Sequence, residues 1–135
     1  MTVSRSLVLL IDGTALAYQS FYALQDLKIP EGRPTGAVFG FYQTLTQLRN
    51  EYSTELIAVA MDRGTPVERT ETYSDYKADR PPTPTDLLDQ LALIEEVLGI
   101  LGIAVVSSEG IEADDILATI ALHAAGEGYD VFIFS

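Results

Sequence analysis

The 135-residue sequence contains no cysteine, a single histidine (His123), and only eight lysines and arginines against twenty acidic residues. The absent cysteines exclude disulfides, thiolate metal sites and a catalytic thiol together. With one histidine besides, any metal held by this chain rests mainly on carboxylate oxygens, hard donors that suit Mg²⁺ or Mn²⁺ better than zinc. No apolar run approaches the roughly 18 residues of a membrane-spanning helix. The longest, Ser6-Leu7-Val8-Leu9-Leu10-Ile11, has the length of a buried strand. The residues before it carry no apolar signal core and no small-residue cleavage site, so the expected location is the cytoplasm. The sequence also lacks the G-x-x-x-x-G-K-[ST] and G-x-G-x-x-G phosphate-binding patterns and the G-x-S-x-G elbow.

A formal charge of −12 argues, taken alone, against a nucleic-acid partner. Its distribution tempers that. Arg63, Arg69, Lys77 and Arg80, half of all basic residues, fall within one short stretch that is locally neutral because Glu68, Glu71, Asp75 and Asp79 share it. Tyr76-Lys77-Ala78-Asp79-Arg80 sets an aromatic beside two cations. On a helix, Lys77 and Arg80 lie on one face and could clamp a phosphate while the tyrosine stacks on a base. A solvated mixed-charge loop is the competing reading.

What is present is an alternation of strand and helix patterns. Strands are expected at 6–11, 56–61, 103–106 and 129–134. Helices are expected at 18–23, 35–52, from Pro84 along the stripe Leu87, Leu91, Ile94, Leu98 and Leu101, and at 112–125. Residues 63–83 show no period, and a connection that long usually means function or disorder. Strands separated by helices predict α/β architecture with a parallel sheet covered on both faces. Ligands of such sheets gather at the carboxyl edge. Three acidic features fall there: Asp12 after the first strand, Asp62 after the second, and Glu112-Ala113-Asp114-Asp115 opening the helix after the third. Singly each has an ordinary structural reading, as a turn dipeptide, a strand end or a helix-dipole partner. Together they predict a divalent-ion site, because converging carboxylates repel unless a cation sits among them. His123, amid Ala and Leu in a helix, reads as structural. Leu10-Ile11-Asp12-Gly13-Thr14 differs from the D-x-D-G-T pattern of haloacid dehalogenase-type phosphotransferases in having Leu10 at the nucleophile's position, which excludes that chemistry.

Leu9-Leu10-Ile11-Asp12-Gly13, Leu16-Ala17-Tyr18, Arg33-Pro34-Thr35-Gly36-Ala37-Val38-Phe39-Gly40, Tyr76-Lys77-Ala78-Asp79-Arg80-Pro81-Pro82 and Gly110-Ile111-Glu112-Ala113-Asp114-Asp115 occur in that order. In this arrangement the sequence resembles the N-terminal 5′-3′ exonuclease domain of bacterial DNA polymerase I, within the flap endonuclease and PIN-like superfamily. The resemblance implies a PIN-like 5′-nuclease fold, of which residues 1–135 form the N-terminal part with about four strands, and 63–83 an arch region. It implies a metal-dependent 5′-3′ exonuclease and flap endonuclease of DNA replication and repair, hydrolysing phosphodiesters with metal-activated water. The ions would be Mg²⁺, or Mn²⁺ as a substitute, two in the complete domain. The partner would be DNA with a 5′ flap or 5′ end, and a polymerase module follows in full-length members. Carried over position by position, Asp12, Asp62, Glu112, Asp114 and Asp115 become metal-holding residues and Lys77 and Arg80 catalytic cations of the arch. Tyr18, Arg69 and Tyr76, with Lys77 and Arg80, become nucleic-acid contacts. Gln19 stands where the family usually has arginine, and Met61 where it has phenylalanine. The family continues past the fourth strand with a G-D-x-D segment and a DNA-binding helical region, which this sequence lacks. Two other readings are carried forward: a compact PIN-type ribonuclease, and a catalytically incomplete fragment that binds DNA or metal weakly.

Overall fold

The computed structural model describes residues 6–32, 34–62 and 85–135. Within them the order is β1 (Leu7–Asp12), α1 (Gly13–Ala23), α2 (Gly36–Tyr52), β2 (Leu56–Ala60), α3 (Thr85–Leu101), β3 (Ala104–Val106), α4 (Ala113–Gly126) and β4 (Asp130–Phe134). The strands form one parallel sheet in the order β3-β2-β1-β4. The chain therefore steps outward from β1 to β3 and then returns to the far side of β1. Right-handed crossovers place helices on opposite faces when the direction of travel reverses, and the packing follows that rule.

Alternation along the strands divides the core in two. Leu9, Ile11, Ile57 and Val59 face α1, α2 and α3, where Leu16, Ala17, Ala37, Phe41, Leu45, Leu87, Ile94 and Leu98 complete the larger cluster. Leu10 and Ala60 face α4 and pack with Ala113 and Leu117. Because β1 is central and buried on both sides, its residues are apolar without alternation, as parallel strands require. Each fully buried leucine or isoleucine contributes about 2 kcal/mol to such a core. Tyr52 stacks on Phe132 with ring centroids 4.4 Å apart, joining the end of α2 to β4.

Helix ends account for most departures from the sequence reading. The first helix begins at Gly13, five residues earlier than the expected 18–23. Asp12 acts as its N-cap, accepting a hydrogen bond from the Ala15 N–H at 3.0 Å. The Asp-Gly pair read as a turn is thus a helix start, since a capping carboxylate satisfies an otherwise orphaned amide. The other elements fall within one or two residues of expectation. Helix α2 has no cap from its own Thr35. Instead Gln90 of α3, 2% exposed, accepts from the N–H groups of Ala37 (2.7 Å) and Val38 (3.2 Å) through Oε1. The expected arch at 63–83 lies outside the described residues. No helix among the described residues is long and apolar enough to cross a membrane.

Candidate metal and nucleic-acid site

The acidic positions of the sequence reading fall at the carboxyl edge of the sheet. Asp12 is the last residue of β1, and Asp62 lies two residues beyond the end of β2. Glu112 is the N-cap of α4, and Asp114 and Asp115 occupy its first turn. The α4 N-terminus meets both strand-end aspartates: the Ala113 N–H donates to Asp62 and the Asp114 carboxyl lies beside Asp12.

Asp12 is the electrostatic centre. It is 7% exposed, and its carboxyl pKa is pushed up to about 6, first by burial. A shared hydrogen bond with the Asp114 carboxyl and the charges of Asp114 and Asp62 raise it further, against the lowering effect of the Ala15 N–H. Burial and nearby like charge both weaken a carboxylate's preference for ionisation. Asp62 accepts a hydrogen bond at Oδ1 from the Ala113 N–H at 2.6 Å, so it caps α4 from a distant part of the chain. Its own N–H donates to Thr14 Oγ1 at 2.8 Å.

The structure therefore brings Asp12, Asp62 and Asp114 together. Glu112 is half-buried and Asp115 exposed, and neither is among the groups that perturb Asp12. Among the described residues, no three carboxylate or imidazole side chains lie close enough together to hold a metal ion between them. In donor chemistry the trio fits a hard divalent ion: all donors are carboxylate oxygens, and their mutual repulsion is what such an ion relieves. Tyr18 lies half-buried on α1 and packs against the larger core cluster. Arg69, Tyr76, Lys77 and Arg80 lie outside the described residues, as does Arg33 of the 33–40 motif. Sequence reasoning missed Thr14 and Gln90. Thr14 could have been found as the residue two beyond Asp12 and Asp62 as the residue two beyond Ala60, because Asp12 and Ala60 are register partners.

Comparison with known proteins agrees with this architecture. A family model described as the 5′-3′ exonuclease, N-terminal resolvase-like domain, matches residues 7–135. The thermostable DNA polymerase I of Thermus thermophilus is 44% identical over 128 residues, covering 95% of this chain but 15% of its own length. Among solved structures, the T5 D15 protein co-crystallised with metal ions has a TM-score of 0.62 at 24% identity, covering 94% of this chain and 48% of the other. The catalytic core of Rad2 in complex with a DNA substrate has a TM-score of 0.59 at 20% identity, covering 90% and 37%. At those identities the structural likenesses establish the parallel-sheet, PIN-like fold. The family match over nearly all of the sequence, together with the polymerase relative, shows that this chain belongs to the N-terminal 5′-3′ exonuclease domain family of bacterial DNA polymerase I.

Proposed function

We propose that the chain is the metal-holding part of a divalent-ion-dependent 5′-3′ exonuclease and flap endonuclease acting on DNA. The observation that carries this reading is the buried Asp12 carboxyl, crowded by Asp114 and Asp62 at the carboxyl edge of a parallel sheet. An uncompensated acidic cluster costs stability, and a site built for a cation explains why it is there. Asp12, Asp62 and Asp114 would hold Mg²⁺ or Mn²⁺, with Glu112 and Asp115 at the periphery. A bound divalent ion supplies Lewis acidity toward a phosphodiester.

The other roles rest on the family. Lys77 and Arg80 would neutralise charge building on phosphate oxygens, and Tyr18, Arg69 and Tyr76 would contact the nucleic acid. Residues 1–135 would form the N-terminal part of the domain, 63–83 its arch. The substrate would be DNA with a 5′ flap or 5′ end, in the cytoplasm, and a polymerase module accompanies the domain in the full-length relatives. The partial donor trio favours a second reading, an incomplete site that needs carboxylates from a following segment before it cuts.

Cleavage of a 5′-labelled flap DNA in Mg²⁺ or Mn²⁺ decides between them. Cutting near the junction supports the enzyme reading. Absence of cutting by a demonstrably folded chain that binds Mn²⁺ assigns it to the incomplete site. In either case Asp114→Asn weakens Mn²⁺ binding by about tenfold with the fold retained, as loss of one ligand implies. An unchanged Mn²⁺ titration would remove the metal reading. Lys77→Ala lowers cleavage by about 100-fold, the lower end for loss of one charge-stabilising group, and leaves Mn²⁺ affinity nearly unchanged. Equal losses of both would indicate misfolding and count against a phosphate role.

A further inference from the structure

We infer that Thr14 is a positioning residue of the acidic edge, its hydroxyl replacing a missing ladder partner at the end of β2 and thereby fixing Asp62 and the first turn of α4. The inference rests on the divalent-ion reading above. Thr14 carries no charge, and its recorded hydrogen bond is to the Asp62 backbone, so it acts on the ion only through other residues.

The argument starts from strand geometry. Register between β1 and β2 ends at Asp12 and Ala60. Successive N–H groups of a strand point to opposite neighbours. At the end of β2, the Met61 N–H turns toward β3 and donates to Val106 O at 2.9 Å. The Asp62 N–H must then turn toward the β1 side, but β1 has already become α1 at Gly13. A backbone donor left there without a partner would cost about 1–3 kcal/mol. Thr14 Oγ1 takes it at 2.8 Å. The side chain is in reach because the first turn of α1 lies directly on β2: a Cβ at Gly13 would collide with Met61 Sδ and Val59 Cγ1.

From Asp62 the connection runs on. Its Oδ1 accepts from the N–H of Ala113, a residue buried in the smaller core cluster. The next residue, Asp114, sets its carboxyl beside that of Asp12. Asp12 caps the helix that carries Thr14. These links close a circuit through the ends of β1 and β2 and the start of α4, so the spacing of the three carboxylates depends on each one. Thr14 is the only uncharged side chain in it, and the one whose hydroxyl and methyl can be removed separately.

The test is Mn²⁺ titration, followed by the electron paramagnetic resonance signal of free Mn²⁺, of wild type, Thr14→Ser, Thr14→Val and Thr14→Ala. Amide exchange at Ala113 is followed in parallel without ion. Ser keeps the acceptor and loses the methyl; Val keeps the shape and loses the acceptor. The expected result is Ser within about twofold of wild type, and Val and Ala weaker by about tenfold, the lower end of the range for residues that orient ligands, with faster exchange at Ala113. If Val does not fold, the same split between Ser and Ala decides. Val, or Ala in its place, binding as tightly as wild type overturns the inference and leaves the ion reading standing; so does Ser weaker than Val, which would mark a packing role. Absence of Mn²⁺ binding by the wild type removes both.

Discussion

Asp12→Asn raises the thermal midpoint of the metal-free chain by about 3–5 °C at pH 8, equivalent to roughly 1 kcal/mol, and lowers Mn²⁺ affinity by on the order of 100-fold, at or beyond the upper range for altered ligand support. Both changes have one cause. The Asp12 carboxyl is buried beside Asp114 and Asp62, so its ordinary value of 3.8 is raised to about 6. Asparagine retains an oxygen for the Ala15 N–H and is as good a cap as aspartate, so the helix start survives while the repulsion goes. The sign with pH follows from linkage. A carboxyl whose pKa is raised by folding favours the folded state fully below the unfolded value, near pH 4, and loses that contribution as pH rises through about 6. The wild type is therefore penalised at pH 8 relative to the variant, and the gap narrows steadily between pH 6.5 and 4. Saturating Mn²⁺ reverses the order, because an ion that binds only the folded chain stabilises it by mass action. Melting both proteins from pH 4 to pH 8, with and without Mn²⁺, checks all of this. A variant less stable than wild type at pH 8 without ion would mean that Asp12 is not crowded by like charge.

Much of the architecture was legible because periodicity reports burial. The apolar run of β1 and the stripe through Leu87, Ile94 and Leu98 have one physical reading each, and both are core elements here. The start of α1 was not legible in the same way. Asp-Gly is common in turns and equally able to open a helix, and only the tertiary approach of α1 to β2 decides between them. Strand order was likewise hidden. Nothing local tells β4 to return beside β1, yet that return is what carries α4 across the end of β2.

The candidate site was legible in its residue types and in the edge it occupies, and less so in its membership. Asp114 stands three residues before Leu117, on the same side of α4, and Leu117 is buried with Leu10 of β1. That placement is what delivers Asp114 to Asp12. Glu112 and Asp115, equally acidic in sequence, are not among the groups that raise the Asp12 carboxyl. Thr14 and Gln90 were missed for another reason: each acts through a hydrogen bond to a backbone group nearly fifty residues or more away, and Thr14 becomes findable only once the register of β1 on β2 is known.

Gly36→Ala costs about 3 kcal/mol or more, the upper range for overpacking into a rigid neighbour, and drops the thermal midpoint by roughly 10 °C. A Cβ at Gly36 would collide with the Leu24 carbonyl oxygen, with the Leu24 carbonyl carbon and Cβ both 2.9 Å away. That carbonyl cannot swing aside cheaply. It accepts from the Leu27 N–H at 3.1 Å, and Leu24 itself ends α1 through its N–H to Ser20 O. One turn on, a Cβ at Gly40 would lie 2.6 Å from Ser20 Cβ. The two glycines, four apart, thus line one face of α2 and let it lie against α1 at close range. Gly99→Ala provides the contrast: it is also inside a helix, but nothing lies within 4 Å of its added Cβ, so alanine raises the midpoint slightly through helix propensity alone, about 1 kcal/mol at most. Thermal melts of the two variants side by side test the claim, and a neutral Gly36→Ala would mean that α1 and α2 are farther apart than described. The glycines of the Gly36–Gly40 motif, which helped to mark the family from sequence, are therefore explained by packing. They seat α1, and α1 is the helix whose first turn carries Asp12 and Thr14 to the end of β2.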